Sequence, residues 1–338
     1  MTASLFRTAL ILTGVGLAGT GWAADPIPFR ITLETSPTHI KTKAVEAFVA
    51  DLGPKTVGQL DIKVFHSAQL FKERDVGKGL RQGAVEMALP ASVHLDGYEP
   101  NAGAVLLPAF YGLDRDATHR ITDGPVGREL NRRLEAKLGV KVIGRYLDLG
   151  PVHTYTSTKK IAAHEDFAGL KIRVQGGAAN IMRYKFFNAN AVAIPWPDVP
   201  MALTQRTVDG ISSSHESVRS AKLWEAGIRY VFEDNQWFGQ YIPMVSLAVW
   251  DKLSPSLRAT IEATWEAHVE ESRALAAASD REARQAQIDN GITIVSPSQA
   301  ELAKRRTALL TTQEALVKDL GIDAAFMALV VKEVAALK

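Results

Sequence analysis

Phe29-Arg30-Ile31-Thr32-Leu33-Glu34 alternates apolar and polar residues, the two-residue period of a strand. After a turn at Thr35 to Thr38, Ile40, Ala44, Val45, Phe48, Val49 and Leu52 recur at helical spacing, and Gly53-Pro54 predicts the end of that helix. Leu60 to Val64 alternates again, a helix is expected over Glu73 to Arg81, and Val85 to Leu89 reads as a strand. This βαβαβ opening predicts a sheet covered by helices. Asn101 to Leu113 is apolar and punctuated by Gly and Pro, as a buried connection would be.

The second half repeats the theme. Strands are expected over Val140 to Asp148, Leu170 to Val174, Ala191 to Ile194 and Val208 to Ile211. Helices are expected over Ala178 to Phe187, from Pro197 to near Arg206, and over Glu216 to Glu225. Gln240 to Val249 reads as a long apolar strand that crosses between lobes. Ser254 to Asn290 is one helical pattern, roughly 50 Å long at about 1.5 Å per residue and so able to span two lobes. Two more helices, near Gln299 to Leu320 and Ala324 to Leu337, are expected to close the chain.

The first residues read as an export signal. Arg7 gives a positive start, Thr8 to Gly19 is apolar or small, and Gly21-Trp22-Ala23-Ala24 offers small residues for cleavage near Ala23/Ala24. The run is shorter than the about 20 residues of a spanning helix, although an uncleaved anchor stays open. These features predict a periplasmic protein. The 338-residue chain has no cysteine, so stability in an oxidising compartment would come from packing. Its length allows two lobes. A net charge of +2, with both signs interspersed, gives no electrostatic case for nucleic acid.

Candidate chemistry centres on Arg173 in Gly169-Leu170-Lys171-Ile172-Arg173-Val174, followed 35 residues later by Val208-Asp209-Gly210. Guanidinium is an always-charged fork that fits a carboxylate bidentately, though an ordinary salt bridge is open too. Other short runs flank these: Pro37-Thr38-His39, Val64 to Leu70, Leu80-Arg81-Gln82-Gly83, Val85-Glu86-Met87, Ala202-Leu203 and Trp250-Asp251-Lys252-Leu253. Taken together in this order, they resemble the substrate-binding subunits of tripartite ATP-independent periplasmic (TRAP) transporters. The resemblance implies an α/β, two-lobe periplasmic binding protein fold, with a long helix spanning both lobes and a ligand enclosed between them. It divides the chain into lobe I, residues 25–150 plus about 239–278, and lobe II, residues 151–238 plus about 279–338. It also implies Arg173 gripping a ligand carboxylate, delivery to integral membrane permease subunits, a monomer, and no cofactor. A sensor subunit presenting the same acid to a receptor uses the same cleft; neighbouring permease or sensor-kinase genes would separate the two.

Further positions carry over from the resemblance. Trp196 falls where an aromatic side chain meets the ligand, or else is a plug between Pro195 and Pro197. Ser213 replaces an amide after the Asp-Gly pair, and Ser213 or Ser214 would otherwise cap a helix. His153 replaces a second arginine seen in some relatives. Serines stand where metal-using relatives carry acidic and aromatic residues, so no metal is expected. From the residues themselves, Asn235-Gln236-Trp237-Phe238 reads as a cleft loop or a core aromatic pair. Ser92 and Glu34 end strands on the side where open α/β sheets place ligands. No hydrolase, P-loop or dinucleotide motif is present, and the eight histidines are scattered, so an enzyme is not expected. One cation with aromatic walls predicts a monocarboxylate, a compact 2-oxo, 2-hydroxy or aromatic acid; protonated His153 would admit a dicarboxylate.

Overall fold

The computed structural model describes residues 25–337; the expected export signal lies outside the described residues. The opening is β1 (Ile27–Thr32), α1 (Ile40–Lys55), β2 (Leu60–Phe65), α2 (Val76–Arg81) and β3 (Met87–Ala88). β1 pairs in parallel with both β2 and β3, which is the expected βαβαβ unit. The alternation of the first strand buries Phe29, Ile31 and Leu33. α1 is capped by His39, whose side chain accepts the Lys41 N–H, and continues past Pro54 to Lys55. The Asn101 to Leu113 stretch is indeed a buried connection, made of two short 3-10 segments, Pro100–Leu106 and Pro108–Phe110.

The chain then passes α3 (Arg115–Thr122), α4 (Pro125–Leu138), β4 (Val140–Val142) and β5 (Leu147–Thr156). The single strand expected over Val140 to Asp148 is therefore two strands, in two different sheets. Gly144 marks the break: a Cβ there would come within 2.5 Å of the Trp265 ring, a tertiary constraint that periodicity does not report. The second half is β6 (Lys171–Val174), α5 (Ala178–Phe186), β7 (Asn190–Ala193), α6 (Val199–Thr204), β8 (Gly210–Ser213), α7 (His215–Ser220) and β9 (Tyr230–Tyr241). After it come β10 (Met244–Ser246), α8 (Leu247–Trp250), α9 (Pro255–Asp289), β11 (Thr293–Val295), α10 (Gln299–Leu310), α11 (Gln313–Asp319) and α12 (Ala324–Ala335).

Two sheets result, ordered β2-β1-β3-β10-β4 and β11-β9-β5-β8-β6-β7. The chain changes sheet between β4 and β5 and returns between β9 and β10. The crossing thus lies at Ile242-Pro243, and the expected strand over Gln240 to Val249 is the end of β9, then β10, then α8. A buried apolar run does not by itself distinguish these elements. α9 is the third connection. Ser254 caps it by accepting the Leu257 N–H, and Leu257, Ile261, Trp265 and Val269 form one buried stripe. Its length lets it pack on α1 and also on β5 and α7. The helix expected to Leu320 is split at Thr311-Thr312, whose hydroxyls donate to the carbonyls of Ala308 and Leu309. α12 packs Phe326, Met327 and Val330 into the core shared with α3 and α4. No helix among the described residues is long and apolar enough to cross a membrane.

Buried Asp234 in β9 carries a pH prediction. It accepts from Gln236 Nε2 at 2.7 Å and Thr154 Oγ1 at 3.2 Å, but burial prevails over these bonds and pushes its carboxyl up to about 7. An unfolded Asp titrates near about 3.9, so the folded state holds this proton more tightly. Its contribution to stability therefore falls as pH rises from about 4 to 7. Asp234→Asn should remove that fall and raise stability at pH 8 by about 1 kcal/mol or more. Urea unfolding of both proteins at pH 5 and pH 8 checks this; an equal loss of stability at both pH values would contradict it.

Candidate ligand-binding site

Arg173 lies on β6 between β7 and β8. The pleat puts Ile172 and Val174 into the core of the second sheet and turns the Arg173 side chain to the other face. That side chain is still buried, at 1% exposure. Nε donates to the Ile194 carbonyl at 2.8 Å, and the guanidinium stands 5.5 Å from the centre of the Trp196 ring. Among the described residues it forms no ion pair within 4.0 Å. Burial pushes its pKa down to about 10, opposed by the charge of Glu73, so it remains a cation at neutral pH.

Arg173, Trp196 and Ser213 border a cavity whose opposite wall, from the first sheet, carries Glu34, Glu73 and His94. The cavity lies beyond the C-terminal ends of β1, β3, β6 and β8, where α/β sheets place ligands. Its volume is about 30 Å³, room for one or two waters. Glu34 is held by Lys41, whose Nζ bonds both carboxylate oxygens at 2.8 and 2.6 Å and sits 4.1 Å from the centre of the Tyr241 ring. Glu73 Oε1 accepts the Trp196 N–H at 2.7 Å, while its buried Oε2 has no partner. Burial raises the Glu73 pKa, as does Glu34, and Arg173 opposes both. Both ring nitrogens of His94 are buried without a partner. Its pKa is pushed down to about 3 by burial and then by Lys41, Arg173 and Arg74.

The walls also touch directly. Lys72 pairs with Asp198 at 2.8 Å, and His39 Nε2 meets Ser217 Oγ at 3.1 Å. The latter contact is not a nucleophile and its base. His39 Nδ1 accepts the Lys41 N–H, so Nε2 carries the proton and donates to Ser217. Burial further holds this ring's pKa down, to about 3. No group of three or more His, Asp or Glu side chains among the described residues is placed to hold a metal.

Of the residues singled out from sequence, Arg173, Trp196, Ser213 and Glu34 meet in this cavity. Ser214 is the α7 cap, accepting the Ser217 N–H. The other candidates lie outside the cavity. His153 pairs with Ser213 in the β5–β8 register, but its ring lies tilted against that of His215 with centres 4.7 Å apart, and burial, with His215, holds its pKa well below the usual value. It is therefore no second cation. Asn235, Gln236 and Trp237 are not in a cleft loop; they lie inside β9. Asn235 has φ +44 at a register shift in the β5–β9 pairing. Gln236 bonds Asp234, Thr154 and Tyr184, and Trp237 packs into the first core. Ser92 and Phe238 border a separate cavity together with Tyr146 and Phe326. Of the expected aromatic wall only Trp196 is in place, and Tyr241 supplies the cavity's other aromatic side chain. Glu73, His94 and Gln175, which also line the site, were missed. His94 was open to the strand-end reasoning that selected Ser92, two residues earlier.

The family model of bacterial extracellular solute-binding proteins, family 7, matches residues 31–318. The 2,3-diketo-L-gulonate-binding periplasmic protein YiaO of Escherichia coli K12 is 29% identical over 250 residues, 74% of this chain and 75% of that one. The C4-dicarboxylate-binding periplasmic protein DctP of Rhodobacter capsulatus is 24% identical over 270 residues, 80% of each. Among solved structures, the sugar acid binding protein DctPAm of Advenella mimigardefordensis, in complex with galactonate, superposes with a TM-score of 0.86 at 20% identity, covering 93% of this chain and 99% of that one. A TRAP periplasmic solute-binding protein of Sulfurospirillum deleyianum with bound succinate gives 0.83 at 24% identity, covering 93% of this chain and all of that one. The chain therefore belongs to family 7 of the bacterial extracellular solute-binding proteins.

Proposed function

We propose that this protein captures an organic acid outside the cytoplasm by pairing its carboxylate with Arg173, and delivers it to a TRAP-type membrane permease. The observation that carries the reading is a buried guanidinium, without an ion-pair partner among the described residues, on the wall of a cavity between two sheets. Such a charge is costly to bury unless something pairs with it. The acids bound by the relatives support this class of ligand.

The two sheets, with what packs on them, form the two lobes of a clamp whose hinge is the β4–β5 and β9–β10 crossings together with α9. A cavity of about 30 Å³ admits an organic acid only when its walls part, so the ligand would enter an open form and be held as the lobes close. Two carboxylates, Glu34 and Glu73, face Arg173, and Lys41 is already committed to Glu34. A second ligand carboxylate would meet like charge there, so the ligand is a monocarboxylate. Thermal-shift screening of matched mono- and dicarboxylates, sugars and amines tests the reading. A ligand present at about a hundred times its Kd should add about 2.7 kcal/mol of stability. Monocarboxylates should stabilise most; stabilisation by sugars or amines and by no acid would contradict the proposal.

A further inference from the structure

We infer that His94 is a specificity residue that takes a hydroxyl group of the ligand, so that the solute is a hydroxylated acid and not a plain alkanoate. The inference rests on the carboxylate-capture reading above and assigns the far end of the same ligand. His94 ends the 3-10 turn Ser92–His94 that follows β3, and its ring borders the cavity that Arg173 borders from the other sheet. The residue is 7% exposed, and neither ring nitrogen has a partner. Buried polar groups are paired in the great majority of cases, and leaving one unpaired is expensive. An imidazole with two open nitrogens on the wall of a binding cavity is therefore a group that a ligand satisfies.

Charge decides what it can accept. Lys41, Arg173 and Arg74 all act on this ring and, with burial, keep it neutral. Neutral imidazole offers one donor and one acceptor. A hydroxyl matches both, because it can donate and accept. On the same cavity wall, Glu73 Oε2 is also buried and without a partner, and a carboxyl oxygen with open lone pairs calls for a donor. An O–H supplies one, whereas a methylene group would leave both His94 and Glu73 unsatisfied.

The test is titration calorimetry of the exported chain with hydroxy acids of three to six carbons, namely glycerate, threonate, ribonate and gluconate. Each is run beside its unsubstituted counterpart, from propionate to hexanoate. At least one hydroxy acid should bind, and its counterpart should bind about tenfold to a hundredfold more weakly. His94→Leu should bring that ratio close to one by weakening the hydroxy acid. His94→Gln, which keeps a donor and an acceptor, should restore part of it. A purely structural role would lower both affinities together and leave the ratio intact. Equal binding of a hydroxy acid and its alkanoate by the parent protein overturns the inference alone, and so does an undiminished ratio in His94→Leu. Should His94→Leu fail to fold, the parent ratio and the response of His94→Gln decide. Binding of no acid of either kind overturns the carboxylate reading as well.

Discussion

Arg173→Ala should lower affinity for the bound acid by about 2–5 kcal/mol, a loss of roughly thirtyfold to a few thousandfold. Most of that loss is the penalty of a ligand carboxylate left in a closed cavity without its partner. The free protein should keep its fold. Arg173 is in no ion pair among the described residues, and its direct bonds are to the backbone carbonyls of Ile194 and Ser212. Removing a buried, uncompensated charge relieves a desolvation cost, so the unfolding temperature without ligand should hold or rise. Arg173→Lys should not restore binding. Lysine presents a point charge in place of a planar fork, and burial lowers its pKa. Calorimetric titration, with circular dichroism to verify folding, measures both halves of this expectation. A folded Arg173→Ala variant that binds as the parent does would contradict the assignment.

The second large effect is on stability. Trp265 is buried in α9, edge-on to Phe48 of α1 with ring centres 5.3 Å apart. Its Nε1 donates to the Arg145 carbonyl at 2.9 Å, in the β4–β5 crossing. One side chain thus fixes the long helix both to α1 and to the segment between β4 and β5. Trp265→Ala should cost about 3–5 kcal/mol in urea unfolding, the usual cost of the cavity left by a fully buried tryptophan. Trp265→Phe keeps much of the packing and loses the hydrogen bond, so it should cost less than Trp265→Ala. A loss below about 1 kcal/mol for Trp265→Ala would mean that α9 is held elsewhere.

What the sequence disclosed, and what it did not, follows from the range of each constraint. α9 was legible because its cap at Ser254, the Pro255 beside it and the stripe Leu257, Ile261, Trp265 and Val269 are all local. The β4–β5 break was not, because its cause at Gly144 is the ring of a residue far along the chain. The true crossing at Ile242-Pro243 was hidden inside a run that is apolar because most of it is buried, whichever element it forms. In the site, Arg173, Trp196, Ser213 and Glu34 could be nominated from position and residue type, and they meet in one cavity. His153, Gln236 and Trp237 were equally plausible by type, but their side chains are committed to neighbours on β5, β9, α5 and α7 or to the core. Glu73 and His94 passed unnoticed because a single acidic residue or histidine becomes informative only when its burial and its missing partners are known.

The most direct measurement of the central claim is a calorimetric titration of the protein with a stabilising acid and with the primary amide of the same compound. The pair matches in shape and differs in the charge offered to Arg173. The proposal predicts that the acid binds and that the amide loses about thirtyfold or more in affinity. Binding of the amide within a few-fold of the acid would contradict carboxylate capture by a buried arginine.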